Sequence, residues 1–90
     1  MEIIMTNFSI AKKWREDNQE MNMDYLNAGY VVLYSRKAVG WIRVLENPQG
    51  WCPNAIAIDV NGNEYLASGG NDYDGAREWI LNNSQRFNLF

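Results

Sequence analysis

Asn61-Gly62, set between the short runs Ala55 to Val60 and Asn63 to Ser68, restricts the fold of this chain more than any other feature. The pair supplies the positive φ angles that a two-residue type I′ loop demands, which predicts a β-hairpin. With that loop, Ile58 stands opposite Tyr65 and Ile56 opposite Ala67 on one face, while Asp59 faces Glu64 and Ala57 faces Leu66 on the other. The first set is the better core face.

Patterns on either side extend the fold. Ile10, Trp14 and Met21 recur at helical intervals, which predicts a first helix from Ser9 to Glu20 with a narrow apolar stripe. Asn27-Ala28-Gly29 breaks the chain before YVVLYS and AVGWIRVL, two strand-like runs joined at Arg36-Lys37. This second hairpin would pair Ser35 with Ala38, Leu33 with Gly40 and Val31 with Ile42 on a small aliphatic face suited to a helix. Its other face would carry Tyr34 with Val39, Val32 with Trp41 and Tyr30 with Arg43, and a one-residue slip would exchange the two faces. Asn47-Pro48-Gln49-Gly50 and Pro53 mark an irregular crossing between the hairpins. After Gly69-Gly70, Asp72 or Asp74 is placed to cap a last helix bearing Ala76, Trp79 and Ile80. The expectation is one α+β domain in the order α-β-β-β-β-α: a four-stranded antiparallel sheet of two hairpins with N-terminal and C-terminal helices. Ninety residues leave room for one modest core.

Charge and residue usage restrict function. A net charge of −3 and a pI near 4.7 argue against tracking phosphates, so direct nucleic-acid binding is not expected. The single Cys52 excludes an intramolecular disulfide and suits a reducing compartment. No basic leader precedes an apolar run at the N-terminus, whether the start is Met1 or Met5, and no apolar stretch approaches a membrane span. A cytoplasmic protein with no membrane partner is expected. Histidine is absent, which removes the commonest general base and zinc ligand. Cys52, between Trp51 and Pro53 with no nearby cation, reads as a buried small hydrophobe. No catalytic residue, metal site or cofactor is expected.

Acidic residues form three groups. Glu16, Glu20 and Asp24 recur at intervals of four with Asp17 alongside, giving the first helix an acidic face that either is simply solvated or meets a basic partner. Asp72 and Asp74 flank Tyr73, but the ligand spacing of a calcium loop fails there, and a helix cap or turn is the better reading. Asp59 opposite Glu64 places like charges beside a hairpin tip, where water screens them. Ser68-Gly69-Gly70-Asn71 reads as a plain turn rather than an anion cradle. Tyr30, Tyr34, Trp41 and Arg43, with Trp51 from the adjoining loop, are the residue types that dominate protein interfaces, or else a second core face under the crossing loop and tail.

The segment GWIRVLENPQGWCPNAIAIDVNGNEYLASGGNDYDGAREW resembles short proteins of plasmids, integrative elements and phages, some labelled antirestriction protein ArdR. The residues that carry the resemblance are Gly40, Trp41, Asn47, Pro48, Trp51, Pro53, Ala57, Asp59, Gly62, Gly69, Gly70, Asn71, Tyr73, Asp74, Gly75 and Ala76. It implies a mobile-element origin and inhibition of a host defence system, and it brings no catalytic residue. The expected function is therefore a small non-catalytic protein-binding module, monomer or homodimer, whose partner is a host nucleic-acid-targeting defence complex. Two alternatives stand beside it: an accessory nucleic-acid or small-ligand domain using Tyr30, Tyr34 and Trp41, and a metal-dependent enzyme in which Asp59, Glu64, Asp72 and Asp74 converge.

Overall fold

The computed structural model describes residues 6–82. Helix α1 (Asn7–Asn18) is followed by a single-turn helix α2 (Asp24–Asn27), then strands β1 (Tyr30–Tyr34) and β2 (Lys37–Ile42). A 3₁₀ turn (Pro48–Gly50) leads to β3 (Ile56–Ile58), β4 (Glu64–Ser68) and β5 (Glu78–Leu81). The strands make one antiparallel sheet in the order β2-β1-β3-β4-β5, so the chain crosses from the β2 edge past β1 before completing a β3-β4-β5 meander. The architecture is α+β, with five strands instead of four and a fifth strand in place of the expected C-terminal helix. No helix among the described residues is long and apolar enough to cross a membrane.

Local chemistry explains the differences. Thr6 Oγ1 accepts the Ser9 amide at 3.0 Å, which starts α1 two residues before Ser9, and the helix ends at Asn18 rather than Glu20. Ser35 and Arg36, both at positive φ (53° and 65°), form the β1-β2 loop. That geometry usually recruits Asn or Gly, and neither residue stands here to announce it. The loop pairs Tyr34 with Lys37 and Leu33 with Ala38, and a bulge at Val39 then pairs Val32 with Gly40, Val31 with Trp41 and Tyr30 with Ile42. Trp41 thus shares a face with Val31, and the expected register is slipped.

At the second hairpin Gly62 takes a φ of 90°, but Asn61 does not join it at positive φ. The Asp59 amide donates to the Asn63 carbonyl and the Gly62 amide to the Asp59 carbonyl, each at 3.1 Å, which makes a three-residue loop of Val60, Asn61 and Gly62. Ile58 consequently pairs with Glu64, Ala57 with Tyr65 and Ile56 with Leu66, and Asp59 no longer faces Glu64. Beyond β4, the Asn71 side chain accepts the amides of Tyr73 and Asp74 at 2.9 and 2.7 Å. The Ala76 amide goes to the Trp51 carbonyl and the Arg77 amide to that of Ser68. Amides that would have opened a helix are thereby engaged, and Glu78 to Leu81 pairs with β4.

Both faces of the sheet are packed. On one, α1 lays Phe8, Ala11 and Trp14 over Val31, Leu33 and Ile58. On the other, Val32, Ala55, Ala57, Ala67 and Ala76 form a shallow floor under Tyr30, Leu45, Trp51, Tyr65 and Trp79. The small alanines let these rings and the crossing loop cover that floor without a helix.

Candidate protein-binding surface

The expected aromatic platform is divided between the two faces. Trp41 belongs to the helix side, where its Nε1–H donates to the Ala28 carbonyl at 3.0 Å and its ring meets Tyr25 edge-on at 5.0 Å. Trp14 extends the series, 5.2 Å from Tyr25. Gly29 lets the Trp41 ring approach the main chain, since a Cβ there would collide with the indole and its φ is +70°. Arg43 sits 5.1 Å from the Trp41 ring and pairs with Asp24 at 2.8 Å. This ring series is α2's seat on the sheet.

Arg15, which sequence reasoning missed, anchors the same region from below. Only 4% exposed, it donates from Nη1 to the carbonyls of Tyr25 and Ala28 and from Nη2 to those of Gly29 and Ile58. Burial lowers its pKa, and the Asp59 carboxylate opposes that shift. Its position four residues after Ala11, on the buried stripe of α1, was the available signal.

Tyr30, Tyr34 and Trp51 are associated with the opposite side. Tyr30 meets Tyr65 edge-on at 5.6 Å. The Tyr65 hydroxyl is pushed above its ordinary pKa of 10.0 by burial first, then by the Asp59 carboxylate and Tyr30. Trp51 packs against β2 at Gly40, where a Cβ would come within 2.6 Å of the indole. Two open hollows flank the ring. One, about 250 Å³, is lined by Tyr34, Val39, Cys52 and Ala55, and the other, about 440 Å³, by Ile42, Val44, Glu46 and Asn47. Val39 is 53% exposed and Tyr34 39%. Cys52 is exposed, which corrects the expectation of a buried thiol.

The acids do not assemble into one site. Glu16, Asp17 and Glu20 are exposed along and just beyond α1, with Asp17 paired to Lys13 at 3.1 Å. Asp72 and Asp74 are exposed on the turn closed by Asn71 and Gly75, where Asp74 accepts from Asn71 Nδ2 at 3.2 Å and neither caps a helix. Asp59 accepts from the amides of Asn61 and Asn63 with Oδ1 and from Asn63 Nδ2 with Oδ2, so its carboxylate is a loop cap. Among the described residues no three His, Cys, Asp or Glu side chains are grouped to hold a metal ion. The carboxylate convergence and the continuous Tyr30-Tyr34-Trp41 platform required by the two alternative readings are therefore not formed. No family model, curated protein or solved structure matches the chain.

Proposed function

We propose that this chain is a small, non-catalytic protein-binding module of phage or mobile-element type that inhibits a host defence system by contact. The observation that carries this reading is the Trp51 surface, a fixed indole between two hollows with Tyr34, Val39 and Val44 exposed beside it. Aromatic anchors beside apolar hollows form the energetic centres of protein interfaces. Glu16, Asp17 and Glu20 lie outside that surface and steer approach to a basic partner rather than supply most of the binding energy. The likeness of the Gly40 to Ala76 segment to the ArdR-labelled proteins gives the contact its purpose.

The test is plating efficiency. The chain is expressed in one host with a restriction system and another with CRISPR interference, each challenged with phage that its system attacks. Plating rises in at least one host, and Val39→Asp reverses the rise. Unchanged plating in both, with folded protein present in the cells, refutes the proposal.

A further inference from the structure

Charge is unevenly distributed along the chain. The net charge is −3, yet the stretch from Gly29 to Leu45 holds Arg36, Lys37 and Arg43 and no acidic residue. That stretch is the β1-β2 hairpin with its immediate continuation. Its outer strand, β2, ends the sheet, so no other strand takes its outer main-chain groups among the described residues. The two hollows flank Trp51 on one face of this strand, one reaching Val39 and the other Ile42, with Gly40 beneath the ring. An open edge beside alternating hollows is the geometry of strand addition, in which main-chain bonds hold an extended peptide and alternate side chains enter pockets.

Resting on the protein-binding function proposed above, we propose that β2 receives an extended acidic segment of the partner protein as a sixth strand. Two apolar side chains at i and i+2, about 7 Å apart on one face of the added strand, seat on either side of Trp51. An acidic residue at one end of the segment meets Lys37, while at the other end Arg43 stays paired with Asp24. A second copy of this chain is a poorer occupant, because its β2 offers no acidic residue to meet Lys37. A nucleic acid strand is also disfavoured, since Arg43 is already held by Asp24 and few cations remain to neutralise phosphates. The opposite edge, β5, begins with Glu78 and would repel an acidic strand at that end.

The experiment follows backbone amide and indole NMR signals of the whole chain during titration with two ten-residue peptides of alternating Val and Thr, one ended by pairs of Glu and the other by pairs of Lys. The Glu-ended peptide is expected to shift the amides of residues 37–43 and the Trp51 indole, with affinity falling as salt rises. The Lys-ended peptide binds at least about tenfold more weakly, because like charges across an interface are penalised by that much or more. Val39→Asp and Lys37→Glu, each verified as folded from its amide spectrum, weaken the Glu-ended peptide, whereas Ile80→Asp on β5 leaves it unchanged. The inference is overturned by equal affinity for both peptides, shifts centred on residues 78–81, no shift at millimolar peptide, the same shifts produced by single-stranded oligothymidylate, or self-association through β2. Loss of peptide binding in Lys37→Glu with phage plating unaffected would sink the strand-addition site and spare the inhibitor reading. Intact peptide binding with no plating effect in any host would do the reverse.

Discussion

Replacing Arg15 by Met removes one guanidinium from four carbonyls, those of Tyr25, Ala28, Gly29 and Ile58, which it meets at 2.9, 2.7, 2.7 and 3.2 Å. A hydrogen bond to a charged group contributes about 1.5–3 kcal/mol, so the gross loss is about 6–12 kcal/mol. Much of this is offset. The wild-type cation bears a burial cost, visible in its lowered pKa, and Met fills the same channel with apolar atoms. The carbonyls of Tyr25, Ala28 and Gly29 lie in partly buried surroundings and regain some water, whereas that of Ile58 is buried and does not. The acceptors belong to the backbone and stay behind, the Ala28 carbonyl still holding the Trp41 indole N–H and the others losing the guanidinium, which places the net cost at about 3–5 kcal/mol. For a domain of this length Tm moves by about 4–8 °C per kcal/mol, so melting followed by circular dichroism should fall by at least about 12 °C. Arg15→Lys should lie between the two, since an ammonium has three donors from one point instead of a planar fork. Hydrogen exchange should accelerate first at the α2 amides, including that of Ala28. An Arg15→Met protein melting within about 3 °C of wild type would show that the four bonds contribute almost nothing net.

Gly40→Ala puts a methyl group into the Trp51 ring and should lower stability by about 1–3 kcal/mol, with a shift in tryptophan emission as the indole moves. Replacing Ser35-Arg36 by Asn-Gly should raise stability by about 1 kcal/mol, because both positions hold positive φ without a residue suited to it, and chemical denaturation will measure the gain. Tyr65 has a raised folded pKa, so the stability tied to its neutral form is complete below pH 10 and is lost as pH rises from there through the folded value. Tyr65→Phe should flatten that alkaline decline relative to wild type. An unchanged slope would refute the assignment. Asp59→Ala uncaps two loop amides and should cost about 1 kcal/mol, read as a lower denaturation midpoint.

The two hairpins, the crossing loop and α1 with Ile10 and Trp14 against the core were legible because each rests on local chemistry that residue types announce, whereas Met21, expected on the same stripe, lies beyond the helix and is exposed. Asn61-Gly62 did mark a turn, but the Asp59 carboxylate gathers the amides of Asn61 and Asn63 into a longer loop, and one additional residue changes every pairing beyond it. The first hairpin misled more seriously. Its loop residues, Ser35 and Arg36, are not ones that announce positive φ, and the Val39 bulge gives no sequence signature. Trp41 was therefore assigned to the wrong face, and the surface built on it came apart. Asp72 and Asp74 looked like helix caps because their type suits that role, while the decisive acceptor was the neighbouring Asn71 side chain. Trp51 was singled out from its residue type alone, and its seat on Gly40 depends on tertiary packing that no local pattern encodes.

The crossing from β2 to β3 divides the molecule into two locally closed pieces, a hairpin through Ile42 and a meander from Ile56 to Leu81, each able to form from near neighbours in the chain. Among the described residues, only the seam of Val31, Val32 and Leu33 against Ile58, Ala57 and Ile56 joins them within the sheet. Closing that seam is the distant, entropically costly event, so it governs the folding rate, and its amides should be the slowest to exchange. Arg15 reaches from α1 across to the Ile58 carbonyl at this junction, and the Ala76 amide ties the meander back to Trp51. Helix α1 and the turn before β5 thus act as clasps on a joint that the middle of the chain makes.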